Sequence, residues 1–144
     1  ATSDSYFVIQ EINIGLMADL GSLQRLPLAL PDAIVRQMAF SGAPLAPQKA
    51  EQLGFVNQVY DGHEQMLEDV FRMARTIADR SPLAVAASKL ALNYNHGRTV
   101  EDALANAAVT QAAIFDPAAV MASVKAMKSK SKAAYADLSC DSKL

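Results

Sequence analysis

Apolar residues change their spacing along the chain, and that change divides it into elements. Tyr6-Phe7-Val8-Ile9-Gln10 is a short apolar run with β-branched members, the pattern of a strand. A lone strand this short needs neighbours, which the rest of the sequence scarcely supplies. The pattern is that expected of the C-terminal part of a longer protein. From Glu11 to Gly21 the residues stay mostly apolar, but Asn13, Gly15 and Gly21 interrupt any period, predicting an irregular loop. From Ser22 helical spacing takes over. Pro27 and Pro31 mark boundaries, and Asp32 to Phe40 places Ile34, Val35 and Met38 on one face, with a stop at Ser41-Gly42. Ala46 to Leu53, with Pro47 near its start, predicts a short helix ended by Gly54, and Phe55 to Tyr60 a second strand closed by Asp61-Gly62.

Longer helices follow. His63 to Arg80 carries Met66, Val70, Met73, Ala74 and Ile77 at spacings of three and four, an amphipathic stripe. Ser81-Pro82 caps and opens the next helix, which runs to Asn95 before His96-Gly97-Arg98 breaks it. Thr99-Val100-Glu101-Asp102 has the form of a capping box, and Asp116-Pro117 opens a last helix running towards Tyr135. The reading is two short strands and six or so helices, the last two rich in alanine. Alanine-lined faces allow close helix contact, as in a bundle or a subunit interface.

Composition narrows the function classes. With 144 residues, 51% of them hydrophobic and 19% charged, one ordinary domain with a core is expected. A net charge of −2 leaves no basic footprint for nucleic acid. No apolar stretch approaches the roughly 18 to 20 residues of a membrane-crossing helix, so no membrane span is expected, nor a signal pattern at Ala1 to Tyr6. The single cysteine, Cys140, has no partner for an internal disulfide, and His63 and His96 offer no metal-ligand cluster. Met66, Met73 and Met121 fit core or interface filler, and no histidine has a serine or acid at a recognisable motif spacing.

Two acids stand apart. Glu11 and Asp19 lie in the otherwise apolar stretch from Ile9 to Leu26, where a charge costs free energy unless paired or solvated. Buried carboxylates exchange protons near neutral pH, and two of them facing one pocket suit a proton relay between two carbons. The plain alternative is that Glu11 ends the strand in solvent and Asp19 caps a turn or the helix after Gly21.

Resemblance tilts that balance. Gln10-Glu11-Ile12-Asn13-Ile14-Gly15-Leu16 followed by Asp19-Leu20-Gly21-Ser22-Leu23-Gln24-Arg25-Leu26-Pro27 resembles the middle of the enoyl-CoA hydratase/isomerase (crotonase) superfamily. Phe40-Ser41-Gly42, Ala50 to Asn57, and Ser81 to Val85 before Lys89 continue it over nearly the whole chain. The resemblance implies the α/β crotonase fold, a ββα spiral, with this chain as its mostly helical C-terminal portion. Residues 1–62 would be the end of the spiral core, with its last strands and the active-site loop. Residues 63–138 would be the helical trimerisation region, and 139–144 a tail.

Glutamate at the position of Glu11 is shared by hydratases and several isomerases, whereas hydratases typically carry glycine where Asp19 stands. Gly15-Leu16-Met17-Ala18-Asp19-Leu20-Gly21 is similar to the Gly-Leu-x-Ala-Asp-x-Gly setting of Δ3,5-Δ2,4-dienoyl-CoA isomerases. That similarity implies conversion of a 3,5-dienoyl-CoA thioester to its 2,4-isomer in fatty-acid β-oxidation. Asp19 would act at C2 and Glu11 at C6, with no redox cofactor and no metal. It assigns Leu16, Lys125 and Lys128 to substrate binding, the lysines recurring with Lys132 at helical spacing where the family places basic residues near CoA phosphates. A solvated helix face is the alternative for these lysines. The family's oxyanion donors and a third acid belong to its N-terminal half, so residues 1–144 alone are expected to be inactive. A generic peroxisomal enoyl-CoA hydratase and a non-catalytic oligomerisation fragment are the competing readings. The expected partners are an acyl-CoA, further copies in a trimer or hexamer, and a peroxisomal import receptor. That receptor would read the terminal Ser142-Lys143-Leu144 and direct the protein to the peroxisome or glycosome. Cys140, two residues before that tripeptide, fits a tail thiol better than a nucleophile.

Overall fold

A computed structural model describes residues 1–136. The chain divides into two compact units, Ala1–Val70 and the residues from Phe71 on. Seven helices form among the described residues: α1 Ser22–Arg25, α2 Asp32–Ser41, α3 Pro47–Gln52, α4 His63–Ala78, α5 Pro82–Tyr94, α6 Val100–Ile114 and α7 Pro117–Lys128. Two short 3-10 turns, Glu11–Ile14 and Leu26–Leu28, precede α2. The division between the units falls inside α4.

The first unit has a sealed core. Ile9, Ala18, Leu30, Val35, Met38, Leu45 and Ala50 are buried, Ala50 completely, with Phe7, Leu23, Leu26, Ile34, Leu53, Phe55 and Val56 packed around them. The face of α2 read from the sequence is the face that enters this core. Phe7 and Phe55 meet edge to face with ring centroids 5.0 Å apart, the arrangement aromatic quadrupoles favour. Gly42 ends α2 in the left-handed region at φ 63, where glycine has no steric penalty, and its N–H closes onto the Met38 carbonyl at 3.0 Å.

The two expected strands are single β-bridges. Phe7 pairs antiparallel with Leu45 and Thr2 parallel with Tyr60. A ladder does not spread from Leu45, because the next N–H positions in register are Ala43, whose N–H goes to Ser41 Oγ at 3.2 Å, and Pro47, which has none and opens α3. Residues 55–59 fold back instead of extending. Phe55 N–H bonds to the Ala50 carbonyl at 2.8 Å, and the Glu51 carboxylate takes the Val59 N–H at 2.9 Å that a neighbouring strand would have used. The expected loop after Gln10 also differs, its first four residues winding into a 3-10 turn that Gly15 closes.

In the second unit the helix starts follow the caps. The Ser81 hydroxyl accepts from Ala84 N–H, Thr99 from Asp102 N–H at 3.1 Å, and the Asp116 carboxylate from Ala118 N–H at 2.9 Å. Asp116→Ala is expected to cost about 1 kcal/mol of α7 stability. Loss of ellipticity at 222 nm and a lower unfolding midpoint would register it, and an unchanged midpoint would show that the cap is idle.

The end of α7 departs from expectation, stopping at Lys128 rather than continuing towards Tyr135. Lys130 turns left-handed at φ 52, its N–H bonding to the Met127 carbonyl and that of Ser131 to Ala126, a Schellman closure without glycine. Lys132 therefore lies off the helix and does not extend the spacing of Lys125 and Lys128. Its ammonium instead pairs with Asp79 at 2.6 Å, while Tyr135 Oη lies 3.0 Å from Ser123 Oγ.

This unit buries little. Ala87 and Ala126 are its only buried hydrophobic residues among those described, while Phe71, Leu92, Val100, Leu104, Val109, Met121 and Met127 are exposed. The α4 stripe is formed as expected but is open to solvent at Val70, Met73 and Ile77, so Met73 and Met121 are not core residues. No single helix among the described residues is long and apolar enough to cross a membrane. Only α6 and α7 taken together, bent by 88°, reach that length and composition.

Candidate active site

Two core side chains anchor the segment that carries the candidate acids. Ile9 is seated in the core two positions before Glu11, and Ala18 immediately before Asp19, each only 3% exposed. Between these anchors the side chains turn outward: Ile12, Ile14, Leu16, Met17 and, just beyond, Leu20 are all exposed. Glu11 is half-buried at the first position of the 3-10 turn, and its carbonyl accepts the Leu16 N–H at 3.0 Å. Asp19 is exposed. Of the two conditions under which an apolar stretch tolerates charge, pairing and solvation, the acids meet solvation.

Two polar side chains hold this segment from outside the core. The Asn13 carboxamide lies on Gly42 and donates to the Gln10 side chain at 3.2 Å. Arg25 folds over Gly21, its Nη1 donating to the Leu20 carbonyl at 3.4 Å. The sequence reading passed over both. Arg25 stands four residues after Gly21, a spacing that brings side chains together at a helix start, but Asn13 meets a residue 29 positions away and nothing local signals it.

The Asp32 carboxylate, 2.6 Å away, holds the Arg36 guanidinium above its usual range, and a hydrogen bond from the Thr2 side chain holds Asp4 below the usual carboxylate range.

The other substrate-binding candidates split between the units. Leu16 belongs to the acid-bearing segment, whereas Lys125 and Lys128 sit exposed on the last turn of α7. They border an open groove of about 640 Å³ with Met121, Ala122, Val124 and Ser129, which combines an apolar floor with two cations. A half-open cavity of about 820 Å³ lies among α5, α6 and α7, lined by alanines such as Ala87, Ala91 and Ala122 and by the Ser123–Tyr135 hydroxyl pair. Neither concavity includes Glu11 or Asp19. Among the described residues, no three of His, Cys, Asp and Glu gather as metal ligands. Ser142, Lys143, Leu144 and Cys140 lie outside the described residues.

The model of the enoyl-CoA hydratase/isomerase family matches residues 1–138. The chain belongs to the enoyl-CoA hydratase/isomerase family. It is 36% identical over 114 residues to the mitochondrial Delta(3,5)-Delta(2,4)-dienoyl-CoA isomerase of Dictyostelium discoideum, covering 79% of this chain and 39% of that protein. Against the peroxisomal enzyme of the same name from Arabidopsis thaliana it is 30% identical, over 95% of this chain and 49% of that protein. An enoyl-CoA hydratase of Mycobacterium marinum superposes with a TM-score of 0.84 at 30% identity, covering 94% of this chain and 53% of that one. This family membership bears out the resemblance read at residues 10–27 and the crotonase fold it implied, of which this is a mostly helical portion. The chain spans two fifths to one half of the curated relatives' length.

Proposed function

We propose that the chain is the acid-bearing portion of a dienoyl-CoA isomerase that moves a proton along a 3,5-dienoyl-CoA. The observation that carries this reading is Gly15-Leu16-Met17-Ala18-Asp19-Leu20-Gly21, which puts a second acid on the segment that already holds Glu11. Outward-facing Ile14, Leu16, Met17 and Leu20 beside the acids suit an apolar acyl chain.

In this mechanism the Asp19 carboxylate removes a proton from C2. The electron pair left behind spreads over the conjugated chain and the thioester oxygen as a dienolate, and Glu11, the acid of the pair, delivers a proton at C6. One C–H bond breaks and one forms, and the double bonds move from 3,5 to 2,4, so neither an oxidant nor a metal is required. The dienolate oxygen needs hydrogen-bond donors, which the family resemblance assigns to the half of the fold outside this chain. Lys125 and Lys128 would meet CoA phosphates, and the exposed apolar helices would contact further copies in a trimer or hexamer. Ser142-Lys143-Leu144, where it stands at the native C-terminus, would direct the protein through an import receptor to the peroxisome or glycosome, and the peroxisomal plant relative is consistent with that location.

Ultraviolet absorbance of the whole protein with a 3,5-dienoyl-CoA, beside a 2-enoyl-CoA control, tests the reading. Conjugation of the product with the thioester changes the spectrum, and that change without hydration of the control is the expected result. Hydration of the control with no dienoyl change would reassign the protein to the hydratases, the reading that its likeness to the Mycobacterium marinum hydratase favours.

A further inference from the structure

The 3-10 turn that carries Glu11 has little to hold it. It is a single turn of four residues, too short to be stable alone, and it contains no buried residue. Its own bonds are local: Asn13 N–H to the Gln10 carbonyl, and the Gly15 and Leu16 N–H groups to Ile12 and Glu11. Ile12 and Ile14, the side chains that would normally pin it, point to solvent.

Ile9 and Ala18 anchor the segment on either side of the turn, and the turn itself is held against the rest of the first unit by α2. The Asn13 side chain lies flat on Gly42, so that a β-carbon there would overlap the carboxamide oxygen and stand 2.6 Å from Asn13 Cγ. The Asn13 amide nitrogen lies 3.5 Å from the Gly42 carbonyl. Gly42 is in turn fixed by its N–H bond to the carbonyl of Met38, a core residue. A path of contacts thus runs from the core through Met38, Gly42 and Asn13 to the turn whose first residue is Glu11.

Resting on the isomerase reading above, we infer that Asn13 and Gly42 form a positioning clamp that sets where the Glu11 carboxyl stands relative to substrate. Asn13 acts through the turn and touches no reacting atom. Gly42 serves twice, as the left-handed stop of α2 and as the flat surface on which Asn13 rests, and only the second role bears on catalysis.

Two variants separate those roles in the whole protein. Asn13→Ala removes the clamp and leaves α2 intact. Gly42→Asn keeps a residue type that tolerates the left-handed stop, yet its β-carbon pushes Asn13 aside. Each is expected to lower kcat about tenfold with KM within about twofold, since misplacing a catalytic group is paid in the transition state. Amide hydrogen exchange at Gly15 and Leu16 should quicken about tenfold in both, a readout that needs no substrate. Unchanged exchange overturns the clamp, and so does faster exchange with full kcat, which would make the contact merely structural. A Glu11→Gln control tells this failure from that of the isomerase reading: full activity there removes Glu11 from the chemistry, whereas its loss with full activity in both clamp variants sinks only the clamp.

Discussion

Asp19→Asn in the whole protein is expected to slow dienoyl isomerisation by about 10²- to 10⁴-fold, the usual contribution of a positioned general base. The substitution is nearly isosteric and the side chain is exposed, so folding should be untouched and far-ultraviolet circular dichroism should superpose on that of the parent. Glu11→Gln should cost a similar factor. The informative variant is the double one. If the two acids hand one proton equivalent along a single dienolate, removing either halts the same step, and the pair should lose little more than each alone. Losses that multiply would mean two separable steps and would count against the relay. Retention of the full dienoyl rate in Asp19→Asn would return that residue to a structural role.

The largest expected loss of stability falls on the core of the first unit. Met38 is 4% exposed and packs among Ile9, Val35, Leu45 and Ala50 in its cluster. Met38→Ala removes that side chain and leaves a cavity, a change expected to cost about 2–5 kcal/mol. Whole domains hold only about 5–15 kcal/mol, so such a loss should shift the urea midpoint far enough to leave the unit partly unfolded at rest. Tyr60, half-buried and bridged to Thr2, gives a fluorescence signal for this unit. Met127→Ala is the control: at 73% exposure it should change stability by less than about 0.5 kcal/mol. Equal effects of the two would mean that the burial pattern does not govern stability.

The sequence announced what is local and concealed what is not. Ser81, Thr99 and Asp116 were readable as helix starts because a cap and the N–H it satisfies lie within three residues of each other. Gly42 was readable as a stop for the same reason. The strands failed because pairing depends on a distant partner, and the Ser41 hydroxyl and Pro47 stop the ladder on either side of Leu45 while the Glu51 carboxylate takes the Val59 N–H. The end of α7 failed because Lys130, not a glycine, takes the left-handed position. At the site, the pattern around Glu11 and Asp19 stands out in one dimension, and the resemblance rests on it. The seating of Asn13 on Gly42 joins two segments that only the fold brings together.

The second unit, with Ala87 and Ala126 as its only buried hydrophobic residues among those described, carries a consequence for the life of the protein in a cell. Exposed apolar side chains are what quality-control systems recognise as the mark of an unfinished polypeptide, because water disfavours them and any apolar surface will take them. Faces such as those of Leu104, Val109 and Met121, open in this portion of the fold by itself, would put a newly made chain in a race. Its lifetime is set by how soon those faces are covered, before a chaperone or a protease reaches them first.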